Sequence, residues 1–139
     1  MKPLRFVFVY GSLMTDMQAG DVLPFVGARY VAPASITGAL YDIGEYPAAT
    51  TSAIGEGSSI VGELWELSDP ETIHLLDEYE RYDPGDPKSL FRRETVMARR
   101  LDTATTQEAW AYLYAANRTL DRARRIASGD YRTVGPRRR

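Results

Sequence analysis

The chain contains no cysteine and a single histidine, His74. The first absence excludes a disulfide framework, a thiolate nucleophile and a cysteine zinc site. The second excludes a multi-histidine metal centre and leaves one candidate for any serine–histidine relay. Long apolar runs are missing too. Lys2 and Arg5 are followed only by Phe6-Val7-Phe8-Val9 before Tyr10-Gly11-Ser12, which is short of the ~7–15 apolar residues of a secretion signal. No stretch approaches the ~18 apolar residues of a spanning helix. The expectation is a soluble cytoplasmic protein with no membrane partner. Its chemistry must run on carboxylates, tyrosines and backbone amides.

A chain of 139 residues has room for one domain, and 44% hydrophobic with 26% charged residues is an ordinary globular composition. The formal charge of −2 conceals a gradient. Residues 1–117 carry 9 Lys and Arg against 17 Asp and Glu, a net −8, whereas 118–139 carry 8 Arg against 2 Asp, a net +6. Such an end can meet nucleic acid or anionic lipid. The plainer reading is a solvated helix followed by a frayed tail. No aromatic residue lies among Arg137, Arg138 and Arg139, so base stacking has no platform there and no nucleic-acid partner is expected.

Residues 4–10 are β-branched and aromatic and end at Gly11, which reads as a buried strand opening a turn. Residues 14–27 suggest a short helix and loop, and 29–40 an extended segment interrupted at Pro33. Residues 41–58, with Gly44, Pro47, Gly55 and Gly57, suggest a loop-rich excursion, and Ser59–Leu67 alternates as a strand. Ser68-Asp69-Pro70-Glu71 combines a polar cap, an early proline and an early acid, and predicts a helix reaching Tyr79–Arg81. After a turn at 82–89, Leu90–Arg100 and Glu108–Ala116 read as paired strands. Thr119 then opens a final helix to about Ser128. Several strands with one inserted and one terminal helix make a mixed α+β domain on a curled sheet or barrel.

Two places can carry chemistry. At Tyr10-Gly11-Ser12-Leu13, glycine lets the chain turn sharply, so that consecutive N–H groups face one concavity able to hold a carboxylate or an oxyanion. The plain alternative is a strand-terminating turn. Ser12 lacks a nucleophile elbow and a local base. The second place is Asp77-Glu78-Tyr79-Glu80. With Ile73 at zero and ~100° per residue, Leu75, Leu76 and Tyr79 fall near 200°, 300° and 240°, an apolar arc closing on Ile73. Glu80 falls inside this arc at about 340°, Asp77 just beyond it at about 40°, and Glu78 and His74 point away. A carboxylate turned towards apolar surroundings acquires a raised pKa suited to acid–base work near neutrality. Alternatively, Arg92 or Arg93 neutralises it. Gly55-Glu56-Gly57 lacks the third glycine and following helix of a dinucleotide loop. Trp65 and Trp110 fit a core, and the tyrosines at 41, 46, 112, 114 and 131 fit a core or a pocket lining equally well.

Read together, Tyr10-Gly11-Ser12-Leu13 and Leu76-Asp77-Glu78-Tyr79-Glu80 resemble the γ-glutamylcyclotransferase superfamily, in its AIG2-like/YtfP-like branch. Agreement extends to Gly38-Ala39-Leu40-Tyr41-Asp42-Ile43-Gly44 with Tyr46-Pro47-Ala48, and to Val61-Gly62-Glu63-Leu64-Trp65-Glu66-Leu67. It continues through Phe91-Arg92-Arg93, Ala109-Trp110-Ala111-Tyr112 and Ser128-Gly129-Asp130-Tyr131, spanning about residues 6–132. The resemblance implies one domain, 1–132, followed by a basic flexible tail, 133–139. It implies a small mixed β-barrel with flanking helices and a cavity between the two motifs. By position, Tyr10, Gly11, Ser12 and Leu13 become the substrate-holding turn and Glu80 the acid/base.

The reaction implied converts a γ-glutamyl amine or peptide to 5-oxoproline and a free amine. The substrate's own α-amine attacks its γ-carbonyl, so the resemblance implies no metal and no cofactor. The partner is a small γ-glutamyl compound, whose amine half and the oligomeric state are left open. Phe91 stands where many relatives carry tyrosine, which removes a hydroxyl from the site. The alternative is a small-molecule binding protein that uses the same pocket without turnover.

Overall fold

A computed structural model describes residues 3–44, 46–51, 58–115, 120 and 123–134. The strands are β1 (Phe6–Val9), β2 (Arg29–Thr37), β3 (Ala39–Asp42), β4 (Pro47–Thr50), β5 (Ser59–Glu66), β6 (Phe91–Arg100), β7 (Thr106–Tyr114) and β8 (Arg124–Arg125). The helices are α1 (Val22–Phe25) and α2 (Ile73–Tyr79), with 3₁₀ turns at Pro70–Thr72 and Tyr131–Val134. Five strands close a barrel in the order β1-β5-β2-β6-β7, and a three-stranded sheet, β4-β3-β8, lies beside it. This is the small mixed barrel with flanking helices that the sequence implied.

β1 decides the closure. It pairs antiparallel with β5, Phe6 opposite Glu66 and Val9 opposite Glu63, and parallel with β7 at Val7 and Trp110. Val7, Phe8 and Val9 are all buried, as a strand hydrogen-bonded on both sides and packed on both faces requires. The core of Phe8, Leu64, Leu67, Leu76, Leu113 and their neighbours fills the barrel. The helix start forms as its sequence dictates: the Asp69 side chain accepts from the N–H of Glu71 at 3.0 Å, with Pro70 in the first turn.

The structure departs from the sequence expectations at four places. β2 runs through Pro33, which sits beside a register shift between Tyr30 and Ala32, where a missing N–H leaves little of the ladder unmade. β4 forms inside the expected loop of 41–58; its two alanines, Ala48 and Ala49, are small, buried and weak strand formers, so only pairing with β3 reveals it. The inward stripe of α2 is Ile73, Leu76 and Asp77, whereas Leu75 and Tyr79 are exposed. The apolar arc expected from Leu75 and Tyr79 is therefore rotated, and Glu80, three residues beyond Asp77, continues the true stripe.

The fourth departure is the terminal helix expected over 119–128. Arg124 and Arg125 form β8 instead, opposite Asp42 and Tyr41 of β3. The Ile126 N–H donates to the Leu40 carbonyl at 2.8 Å, and the Arg125 guanidinium lies 5.9 Å from the centre of the Tyr41 ring. Pairing with the open edge of β3 overrides the helical preference of the arginines. Residues 119, 121 and 122 of that expected helix, and the terminal arginines, lie outside the described residues.

The segment that follows returns to the barrel through Gly129. Its carbonyl accepts from the Val61 N–H at 2.7 Å, its φ is +72°, and a Cβ there would stand 1.9 Å from the Ser59 carbonyl oxygen. Gly129→Ala combines a disfavoured backbone with a clash against a β5 carbonyl. It is expected to lower stability by about 2–4 kcal/mol in urea unfolding; a loss within ~0.5 kcal/mol contradicts this packing.

Candidate active site

One end of the barrel opens into a cavity of about 550 Å³. β1 delivers Tyr10, Gly11, Ser12 and Leu13 to one wall, and the end of α2 delivers Glu80 to another. Phe91 and Tyr112, from β6 and β7, complete the inner lining. The five positions singled out in the sequence thus border a single space.

The turn after β1 is held tightly. Gly11 passes Pro47 so closely that a Cβ would come within 2.9 Å of the proline Cγ. The N–H of Met14 closes the turn on the Gly11 carbonyl at 3.1 Å. Among the described residues, no backbone acceptor takes the N–H groups of Gly11, Ser12 or Leu13. The Ser12 hydroxyl lies 3.4 Å from the Tyr79 hydroxyl rather than beside a base.

A charge cluster behind the turn fixes its far side. Glu63, buried on β5, accepts from the Thr15 N–H at 3.0 Å, the Thr15 hydroxyl at 2.8 Å and the Trp65 indole at 3.1 Å. Arg132 donates to Glu63 at 2.8 Å and reaches Asp16 at 2.8 Å. Burying the carboxylate is tolerable because both oxygens are satisfied. The 3₁₀ turn carrying Arg132 is thereby tied to the loop that leaves Leu13.

Glu80 lies in the opposite situation. It is half-buried, and burial pushes its carboxyl from the ordinary 4.5 up to about 7. The arginine offered by the sequence as its partner is used elsewhere: Arg93 donates to Asp77 at 2.9 Å, and Arg92 is exposed. Among the described residues no lysine or arginine pairs with Glu80. The Arg93 guanidinium also lies 4.5 Å from the centre of the Trp110 ring.

Both neighbouring phenols are committed as well. The Tyr112 hydroxyl donates to Asp77 at 2.7 Å, and the Tyr10 hydroxyl donates to the Tyr112 carbonyl. Burial raises both phenols well above their ordinary range, and the Glu80 charge raises them further. They stay protonated throughout the physiological range. His74 is exposed, 3.6 Å from Asp77 and 3.5 Å from Glu71, and does not line the cavity.

Sequence reading did not find the Asp77–Arg93–Tyr112 chain or the Glu63–Arg132 cluster. The first had a signal, since Ile73, Leu76, Asp77 and Glu80 follow the i, i+3, i+4, i+7 pattern of one helix face. The second joins residues 69 positions apart and had none.

Comparison with known proteins agrees with this geometry. Residues 7–133 match the family described as gamma-glutamyl cyclotransferase, AIG2-like. The chain belongs to this family. A curated relative, gamma-L-glutamyl-butirosin B gamma-glutamyl cyclotransferase of Niallia circulans, is 36% identical over 83 residues, 58% of this chain and 49% of its own. The chain thus spans about half the length of that relative. Among solved structures, PH0828 from Pyrococcus horikoshii is 22% identical with a TM-score of 0.66, covering 94% of this chain and 92% of its own. An AIG2-like protein from Mus musculus is 19% identical with a TM-score of 0.67, covering 85% and 81%. These two share the fold.

Two stability measurements check the site. Arg132→Met leaves the buried Glu63 without its counter-charge and is expected to lose about 2–3 kcal/mol in urea unfolding; an unchanged midpoint contradicts the cluster. For Glu80 the sign is opposite. Its raised pKa means that stability is fully present below about pH 4.5, declines as pH rises, and is lost above about 7. Glu80→Gln should therefore unfold with the wild type near pH 4 and exceed it by about 2–3 kcal/mol at pH 8. A gap independent of pH contradicts the burial of this carboxyl.

Proposed function

We propose that this cavity converts a γ-glutamyl compound to 5-oxoproline and a free amine, with Glu80 as the general acid/base. The observation that carries the reading is the Glu80 carboxyl itself, unpaired by any described cation and poised near neutrality, across the cavity from a turn with available amides. The family's description and the name of the Niallia circulans relative support the same reaction class.

The chemistry asks for what these residues offer. The substrate arrives as an α-ammonium, which is no nucleophile. Glu80, ionised, accepts one of its protons and frees the nitrogen lone pair. That nitrogen attacks the γ-carbonyl carbon and closes a five-membered ring, placing negative charge on the carbonyl oxygen. The N–H groups of Gly11, Ser12 and Leu13 supply donors for that oxygen or for the substrate carboxylate. The ring nitrogen gives up a second proton, which passes to the departing nitrogen as the carbon–nitrogen bond to the amine breaks. Glu80 returns its proton to the departing nitrogen, which leaves as an ammonium ion, so no net proton is gained or lost. A carboxyl near pKa 7 accepts and donates with comparable ease. Holding the folded γ-glutamyl conformer supplies the remainder through proximity.

Tyr10, with its hydroxyl bound to the Tyr112 carbonyl, acts as a wall and keeps its proton. Phe91 packs edge-on against Tyr46 and Tyr114, each with ring centres 6.1 Å away, and offers an apolar surface where a tyrosine would offer a hydroxyl.

The purified protein, given a panel of γ-glutamyl amines and dipeptides, is expected to release 5-oxoproline, with kcat/KM rising through about pH 7 as Glu80 ionises. Glu80→Gln should lower kcat by about 10²–10⁴-fold while the fold and ligand-induced thermal protection persist. Thermal protection without product from any member of the panel points instead to binding without turnover, and the catalytic reading is then discarded.

A further inference from the structure

The residue after Glu80 has an unusual backbone. α2 ends in a paired closure in which the Arg81 N–H donates to the Glu78 carbonyl at 3.1 Å and the Tyr82 N–H to the Asp77 carbonyl at 2.8 Å. This closure places its central residue in the left-handed region, where glycine is the usual occupant because a Cβ is disfavoured. Here the position is held by arginine, with φ at +56°. A long, charged, β-carbon-bearing side chain is the opposite of what the helix end prefers.

Arg81 borders the cavity, and it is solvent-exposed where Glu80 beside it is half-buried. Arg81 therefore stands at the mouth and Glu80 further in. Two other charged residues border the same opening. Asp86 is occupied by its own turn, accepting from the Lys88 N–H at 2.9 Å, and Lys88 has an interaction of its own. Among the described residues no carboxylate pairs with the Arg81 guanidinium. Arg81 is thus a planar, permanently charged donor set facing a ligand space, kept at a position that favours glycine. Guanidinium groups so placed recognise carboxylates in two-pronged fashion.

We infer that Arg81 is a specificity-determining residue that binds a carboxylate on the amine half of the substrate, so that the preferred substrates are γ-glutamyl amino acids or peptides rather than γ-glutamyl alkylamines. The inference rests on the cyclotransferase reading above. In that reading the γ-glutamyl half lies against Glu80 and the turn, and the amine half extends towards the mouth where Arg81 stands. A second carboxylate there meets the guanidinium; a methyl or alkyl group meets nothing that needs it.

The test compares γ-glutamyl-alanine with γ-glutamyl-methylamide; on the carbon next to the amide nitrogen the first carries a carboxylate and a methyl group and the second only hydrogens. Wild type and Arg81→Gly are assayed for 5-oxoproline release with both. Calorimetric binding of both compounds to Glu80→Gln, with and without Arg81→Gly, reads recognition apart from turnover. Arg81→Gly is expected to melt above the wild type, because glycine relieves the left-handed backbone. It should raise KM and weaken binding about tenfold for γ-glutamyl-alanine and leave γ-glutamyl-methylamide unchanged, with Arg81→Lys recovering part of the loss. Equal losses for both compounds mean that Arg81 holds the γ-glutamyl carboxylate, and no loss for either means that it binds neither; both results overturn the inference. If the wild type releases 5-oxoproline from neither compound nor from the wider panel, the cyclotransferase reading falls, while the calorimetric comparison still decides the role of Arg81.

Discussion

The arrangement depends on one electrostatic constraint: a carboxyl group has to sit against the barrel cavity without a cation to neutralise it. Water solvates a carboxylate far better than protein does, and a group denied that solvation keeps its proton to higher pH. An arginine within reach of Glu80 would restore the charge preference and abolish the effect. The fold supplies arginines nearby and directs them elsewhere. Arg93, from the neighbouring barrel strand, is taken by Asp77, the residue that precedes Glu80 by three on the same helix face. Asp77 also takes the Tyr112 hydroxyl, and the Tyr112 carbonyl takes the Tyr10 hydroxyl. The Arg93 ion pair and both phenol hydroxyls on that side are thus directed to partners other than Glu80, although the buried Arg93 Nε keeps no hydrogen-bond partner among the described residues.

A second, complementary cluster serves the opposite wall. Glu63 is more deeply buried than Glu80, yet it receives hydrogen bonds from Thr15, Trp65 and Arg132. The two glutamates show how little the residue type decides. One is a satisfied buried charge that ties the loop after Leu13 and the final 3₁₀ turn to β5. The other is left unsatisfied by neighbours, and its proton can move. The Glu80 arrangement lowers stability at the pH where the protein would work, a concession that active sites make and structural clusters do not.

Much of this was legible in the chain, and the legible parts share a cause. β1, the turn at Gly11 and the start at Asp69-Pro70 announce themselves because local chemistry decides them. The helical phase placed Glu80 inward even though the expected apolar arc, drawn through Leu75 and Tyr79, was wrong. Those two are exposed because the barrel meets α2 along Ile73, Leu76 and Asp77, and only tertiary contact fixes which side is in. β4 and β8 were invisible for the same reason. Two alanines and two arginines have no strand preference, and both segments extend because β3 offers them an edge. Arg132 looked like part of a solvated basic end; its partners Glu63 and Asp16 are far away in sequence, so its role lay beyond any local signal.

The central claim is that Glu80 titrates near neutrality in the folded protein, and it can be observed without substrate. Carbon-13 NMR of the glutamate side-chain carboxyls, followed from pH 4 to 9 and assigned by the loss of one resonance in Glu80→Gln, reads that titration directly. The account predicts a Glu80 midpoint near 7. A midpoint between about 4 and 5, the range of an ordinary solvated glutamate, contradicts it.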